Sequence, residues 1–470
     1  MKHIQYILLS LCLLLISNNA QAQLAAGRTK ATVIADALAQ LPADTPKQYN
    51  QVIADLVTTG EEGLLDLIDR LNPPGSQSNE TVEFAIAGWT HFTATDNASR
   101  QATANTFEKA LAKPLDKEVK AFIVRQLRTI ATDDNVDALA PFLADEYLAS
   151  TAAMALVSVG TDNANKALLD ALQNSSSNAV KMQLINALGQ SNYAPAEPAL
   201  LALLNQNPSG EMQQVVLNAL ANTGTKESVK QLANAAKEVG YAYHKNNATA
   251  SYIALLNRLN PAEPKLVGKE AKRLLSAAKK QDKQDIKLAA TRLLLGQPSA
   301  KPNNILKDAI KDGDIAYLTG VLNAYPFQKD KKAVELVTKQ LASTKSPDVQ
   351  TALIYWLADQ NVTNFPALVA PLLTSSNSVV QRAAAVSLAK QGGDQALIAL
   401  AGMLKSNDEE TVTRGKNALA SFNGDISYTL ASVFDTSGDA GKKAILELIA
   451  NRKMESQYNL VYNQMFSDNE

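Results

Sequence analysis

The sequence predicts an all-α protein, an α-α superhelix of roughly twelve helix pairs stacked along the chain. Three observations predict it. Alanine and leucine supply most of the apolar content while aromatics are only 5%, which favours close-packed helices over sheets rich in aromatic and β-branched residues. Apolar residues recur three and four apart, marking one buried face per helix. The pattern also returns at a nearly fixed interval, as stacked repeats do.

The first element is an address. Met1-Lys2-His3 is positively charged, Ile7 to Ile16 is apolar but for Ser10, and Ala20-Gln21-Ala22 is a small-x-small site. That order is a secretory signal peptide of bacterial type, residues 1–22, cleaved after Ala22. The apolar run is shorter than the roughly 20 residues a membrane span needs. The expectation is export to the periplasm or beyond, with 23–470 forming the array. Cys12 is the only cysteine, and Leu11 before it argues against a lipid anchor. Cleavage leaves a thiol-free chain that an oxidising compartment cannot staple. The Asn-x-Ser/Thr patterns at Asn79, Asn97, Asn247 and Asn361 read as chance in an Asn-rich chain with such a leader.

Helix pairs follow. Thr45 to Leu71 holds one and Asn79 to Ala112 another. Val180 to Leu188, Met212 to Leu220 and Val380 to Leu388 then share one shape: an amphipathic helix, a polar turn with Gly or Asn, and a second, Leu-rich helix such as Glu197 to Leu204 or Ala396 to Leu404. The last leucine of each first helix forms a ladder: Leu127, Leu156, Leu188 and Leu220, then Leu357, Leu388 and Leu419. Across an irregular stretch at 240–345 the register blurs, and Leu255, Leu294 and Leu322 are its best continuations. The residue before each ladder leucine is small (Ala155, Ala187, Ala219, Ser387, Ala418), which lets neighbouring helices approach closely. Trp356 stands in that column and fills a wider core. The Asn72 to Asn79 loop is the best place for an internal break, and no linker splits the array into independent domains.

Val380-Gln381-Arg382-Ala383-Ala384, then Leu388, Gly393 and Ala396-Leu397, resembles HEAT repeats of the short type named after phycobilisome lyases. The resemblance covers most of 45–466 and implies an ARM/HEAT-like solenoid of a secreted bacterial kind. Only Arg382 and Arg414 match the family's arginine well. No lyase chemistry is implied, because nothing here matches a chromophore site.

Residues for catalysis are scarce. The histidines after the leader are His91 and His244, 153 positions apart, whereas a metal needs three or four converging ligands. No Gly-x-Ser-x-Gly elbow, phosphate loop or dinucleotide fingerprint occurs. Asp133-Asp134-Asn135-Val136-Asp137 lacks the glycine and distal glutamate of a calcium loop, so these aspartates read as helix caps, as does Asp408. No catalytic residue, cofactor or metal is assigned.

Charge is more telling. The net charge is -1, yet residues 23–160 carry 11 Lys/Arg against 18 Asp/Glu (net -7) and 265–339 carry 16 against 8 (net +8). From Lys265 to Lys280 one helix buries Val267, Ala271, Leu274, Leu275 and Ala278. It leaves Lys265, Lys269, Lys272, Arg273, Lys279 and Lys280 outside, with Lys283 and Lys287 continuing the run. This basic band reads either as a solvated surface that keeps the rod soluble or as a dock for an anionic partner: polysaccharide, lipid head group or acidic protein. No aromatic residue interleaves with the lysines, so nucleic acid is excluded.

The expected function is a non-catalytic, exported scaffold in the cell envelope, binding a protein or other macromolecule on its concave face. The alternative is an accessory array of a carbohydrate-active, glycoside-hydrolase-like system, because similar secreted arrays often precede a catalytic jelly roll. Ser467-Asp468-Asn469-Glu470 resembles Ser406 to Glu409, which opens a further repeat, so the array is expected to continue or to join such a partner. Direct glycan binding would fall to Trp89, Tyr355 and Trp356.

Overall fold

The computed structural model describes residues 28–465 apart from 209, 327–329 and 363. The expected signal peptide (1–22), the final residues 466–470 and Thr363 of the last Asn-x-Thr pattern lie outside the described residues. Among these, all regular structure is helical. They divide into two compact units that meet between Leu259 and Asn260.

The first unit opens with α1 (Lys30–Gln40), α2 (Pro46–Val57), α3 (Gly60–Asp69), α4 (Glu80–Thr93) and α5 (Asn97–Leu111). It continues through α6 (Lys117–Ile130), α7 (Val136–Leu139), α8 (Ala149–Val159), α9 (Asp162–Asn174) and α10 (Asn178–Gln190). Then come α11 (Glu197–Asn205), α12 (Gly210–Thr223), α13 (Val229–Glu238) and α14 (Ala248–Leu259). The second unit begins with α15 (Pro264–Gln281), α16 (Gln284–Leu295), α17 (Pro302–Asp312), α18 (Ile315–Asn323), α19 (Lys331–Ser343) and α20 (Pro347–Asp359). It ends with α21 (Phe365–Val369), α22 (Ser378–Gln391), α23 (Asp394–Gly402), α24 (Glu409–Ala420), α25 (Ser427–Phe434), α26 (Asp439–Asn451) and α27 (Tyr458–Gln464). In each unit the even-numbered helices stack on one another. One hairpin cannot bury its own apolar stripe, so each leans on the next. Six sequential pairs lie in the first unit (α2/α3 to α12/α13) and six in the second (α16/α17 to α26/α27).

Local chemistry sets the helix boundaries. Thr45, Asp96, Thr161, Ser177, Ser346 and Asp408 each accept a backbone N–H at a helix start, satisfying donors the helix cannot pair internally. Pro46, Pro264, Pro302 and Pro347 occupy first helical positions, where a missing N–H does no harm. At Thr132 the expected aspartate caps are replaced. Asn135, fully buried, accepts from Thr132 N at 2.8 Å and donates to Glu108 Oε1 at 2.6 Å, while Asp133, Asp134 and Asp137 are exposed. The buried amide wins because it can both accept and donate; a carboxylate there would be a stranded charge.

The ladder is the core. Leu127, Leu156, Leu188, Leu220, Leu255, Leu357, Leu388 and Leu419 are 0% exposed. Leu294 departs from it. It is half-exposed while Leu293 and Leu295 are buried, so the ladder slips by one residue in α16. The small column is buried as well, and a methyl at Gly189 of α10 would lie 3.0 Å from Ala219 Cα of α12. The units meet inside the longest ladder gap, Leu255 to Leu294, and not at the Asn72 to Asn79 loop. That loop is closed on itself: Asn72 N donates to Asn79 Oδ1 and Asn79 Nδ2 to Asn72 O, each at 2.8 Å.

Neighbouring repeats also finish each other's helix ends. Arg100 Nε donates to Ile130 O at 2.6 Å and its Nη2 to Ala131 O at 2.8 Å. Arg452 reaches Leu419 O at 3.0 Å and Gly424 O at 2.9 Å. Arg258 donates to Ala221 O at 3.1 Å and to the Gly224 carbonyl. Buried Glu197 accepts from Thr225 N at 2.7 Å and from the Ser228 hydroxyl at 2.5 Å. Orphan carbonyls and N–H groups at helix ends are thereby paired across the repeat boundary.

A candidate binding groove beside α15

The amphipathic pattern of α15 is the one the spacing predicts, with one change. Val267, Ala271, Leu274 and Ala278 are buried, Leu275 is half-buried, and Glu270 joins the buried face. Glu270 Oε1 accepts from Arg273 Nη1 at 2.7 Å, so the exposed guanidinium neutralises it. Lys265, Lys269 and Lys272 project from the exposed stripe.

These three lysines line an open groove of about 900 Å³. α15 forms one wall and α17 the other, with the α16–α17 turn between them. Pro264, Leu294, Pro298, Ala300 and Ile305 supply apolar surface; Lys301, Asn304 and Asp308 edge the far wall. The turn is braced: Gln297 Nε2 donates to Asn260 Oδ1, Asn260 Nδ2 donates to Leu293 O at 3.3 Å, and Ala300 N donates to Gln297 O at 3.0 Å. Gly268 keeps the α15 wall low, since a methyl there would lie 3.2 Å from Gln297 Oε1. Lys265, Lys269, Lys272 and Lys301 make no salt bridge among the described residues.

The rest of the predicted band does not share this site. Lys279 and Lys280 are exposed in the last turn of α15 but do not line the groove. Lys283 is half-buried in the α15–α16 turn, its N–H bonded to Ala278 O at 3.0 Å. Lys287 does not belong to the exposed band. It is buried, with Nζ 2.6 Å from Asp312 Oδ1, 3.1 Å from Gln284 Oε1 and 4.0 Å from the Tyr317 ring centre. Its position in α16 turns it toward α17 and α18, so it continues the basic run in sequence only. The Tyr317 hydroxyl lies 3.0 Å from Thr291 Oγ1; burial pushes its phenol up, and the Thr291 bond partly offsets this. Lys301, Asn304 and Asp308 carry no sequence signal for this site beyond Lys301-Pro302, which marks the start of the facing helix.

The other candidates separate. His91 is exposed on α4, while His244 Nδ1 accepts from Asn246 N at 3.2 Å. Among the described residues no group of three or more His, Cys, Asp or Glu is placed to hold a metal. Trp89 is buried, donating to Thr103 Oγ1 at 3.2 Å. Trp356 is buried too, donating to Leu322 O at 3.2 Å and meeting Tyr325 edge-on at 5.9 Å. Neither indole is available to stack on a sugar, which leaves Tyr355 exposed alone. Among the described residues no helix is long and apolar enough to cross a membrane.

Helix pairs stacked in this way define an all-α repeat protein. A family profile of HEAT repeats matches residues 165–252 and 334–420, so HEAT repeats occur in both units of the helical solenoid. Among solved structures it is similar to an engineered protein (21% identity, 83% of this chain and 93% of that one, TM-score 0.26). It is also similar to Kap121p bound to RanGTP (16%, 86% and 49%, TM-score 0.44). A third is human deoxyhypusine hydroxylase in complex with glycerol (17%, 62% and 96%, TM-score 0.22). At these identities none of them bears on what this chain binds. No curated protein matches it.

Proposed function

We propose that the chain is an exported, non-catalytic scaffold that holds an anionic macromolecular partner in the groove between α15 and α17. One observation carries this reading: Lys265, Lys269 and Lys272 converge on an apolar-floored groove without carboxylate partners of their own. Unpaired cations around a low-dielectric recess focus field lines and favour a negative ligand. The signal-peptide pattern of residues 1–22 supports export. A link to carbohydrate-active systems gains nothing from the groove, since no aromatic residue lines it.

The test is charge reversal on the purified mature chain. Lys265→Glu/Lys269→Glu/Lys272→Glu is expected to abolish retention on immobilised acidic polypeptide, while Lys279→Glu/Lys280→Glu leaves most of it. Equal retention of both variants would remove the groove from the account. Export is tested separately by cell fractionation and N-terminal sequencing, with Gln23 the expected first residue.

A further inference from the structure

The groove has a stripe, a floor and an opposing wall, and together they narrow the ligand. Resting on the anionic-partner reading above, we infer that the groove receives an acidic amphipathic helix from a partner protein, laid alongside α15. The three lysines are spaced four and three residues apart on one face of α15. At about 1.5 Å rise per residue they span roughly 10 Å along its axis. A second helix lying alongside repeats that spacing whenever it carries carboxylates three or four residues apart. A helix laid in a groove is then read by a charged edge and an apolar edge.

The floor supplies the apolar edge. Leu294 is half-exposed because the α16 ladder slips there, and Ile305, Ala300 and the two prolines continue the patch. The opposing wall, which carries Asp308 beside Lys301, selects among anions. Asp308, exposed and four residues beyond Asn304 on α17, faces the groove. A polyanion of uniform charge meets that carboxylate; a peptide turns an amide or a basic side chain to it. A saccharide lacks an aromatic platform here. Because the turn from Gly296 to Lys301 is already hydrogen-bonded in place, little ordering accompanies binding.

The experiment uses the full mature chain and four probes. Two are fluorescent peptides of about 20 residues, long enough for a helical turn pattern. One carries Glu at four- and three-residue spacing on one face and Leu beside it; the other is its composition-matched scramble. The remaining two are heparin and phosphatidylglycerol vesicles. The patterned peptide is expected to bind at least tenfold tighter than the scramble and to gain helical circular dichroism on binding. Lys265→Glu/Lys269→Glu/Lys272→Glu and Leu294→Gln should each weaken it at least tenfold. If Leu294→Gln loses helical signal of its own, exposed Ser299→Glu obstructs the same floor instead. Equal binding of pattern and scramble, or preference for heparin or vesicles that the triple variant abolishes, overturns the helix inference and leaves the anionic groove standing. Indifference of all four probes to the triple variant overturns both.

Discussion

Lys287 Nζ lies 2.6 Å from Asp312 Oδ1, and this buried cation ties α16 to α17 behind the groove. The lysine side chain is 5% exposed and the aspartate 30%, so the two partners are not equivalent. Removing the carboxylate strands a buried ammonium, which costs about 3–5 kcal/mol. Removing the ammonium leaves a carboxylate that water can reach. Asp312→Asn should therefore destabilise the second unit more than Lys287→Met, as read by urea denaturation. Lys287→Met should also leave acidic-peptide binding unchanged, which separates it from the groove lysines.

Gly441 on α26 admits no side chain. An added Cβ would sit 2.0 Å from Leu404 O, a backbone atom that cannot step aside. Gly441→Ala should cost at least the 1–3 kcal/mol typical of overpacking, seen as a lower denaturation midpoint. An unchanged midpoint would mean that α26 packs less tightly against the turn after α23 than its geometry implies.

Asn135 answers for the α6–α7 turn. It satisfies Thr132 N and Glu108 while fully buried. Asn135→Asp keeps the acceptor and loses the donor, setting a buried negative charge against Glu108. It should be more damaging than Asn135→Ala, for which the unpaired Thr132 N–H suggests about 1–3 kcal/mol. Thermal melts of both variants decide the order.

Carboxylates at helix starts give the chain an acid limit. Backbone and side-chain bonds from Ser99 hold Asp96 below its ordinary value; the Thr411 hydroxyl and N–H do the same for Asp408, and the Ser427 N–H for Asp425. The unfolded chain then takes up protons first, near the usual aspartate value of about 3.9. Their stabilisation is full above that pH and is lost as pH falls through the lower folded values. Melting temperature should fall below about pH 4. Asp408→Asn keeps the acceptor without the charge and should flatten that fall.

Much of the fold was legible because repetition averages over local noise. Leu127 to Leu220 and Leu357 to Leu419 are each read several times over, so the 3.6-residue period and the small column stand out. Leu294 misled because it sits in Leu293-Leu294-Leu295, a run in which period cannot choose the inward residue; packing against neighbours does. Lys287 was misplaced for a similar reason: a run of basic residues in sequence crosses from α15 into α16, where the exposed face changes. Three of the eight band residues line the groove, and Lys279, seven residues beyond Lys272 on the same stripe, does not. Asp308 and Lys301 stayed hidden because they come from the facing helix, and no single-helix pattern reports what stands opposite.

The arginines and the glutamate that cross repeat boundaries carry one last consequence. Arg452 completes a helix that ends at Ala420, and Glu197 completes one that begins at Val229. A hairpin cut free would keep its leucines yet surrender the side chains that close its ends. Lengthening such a chain by duplication thus demands copying both partners of each cross-boundary bond, and the smallest heritable module is wider than a single repeat.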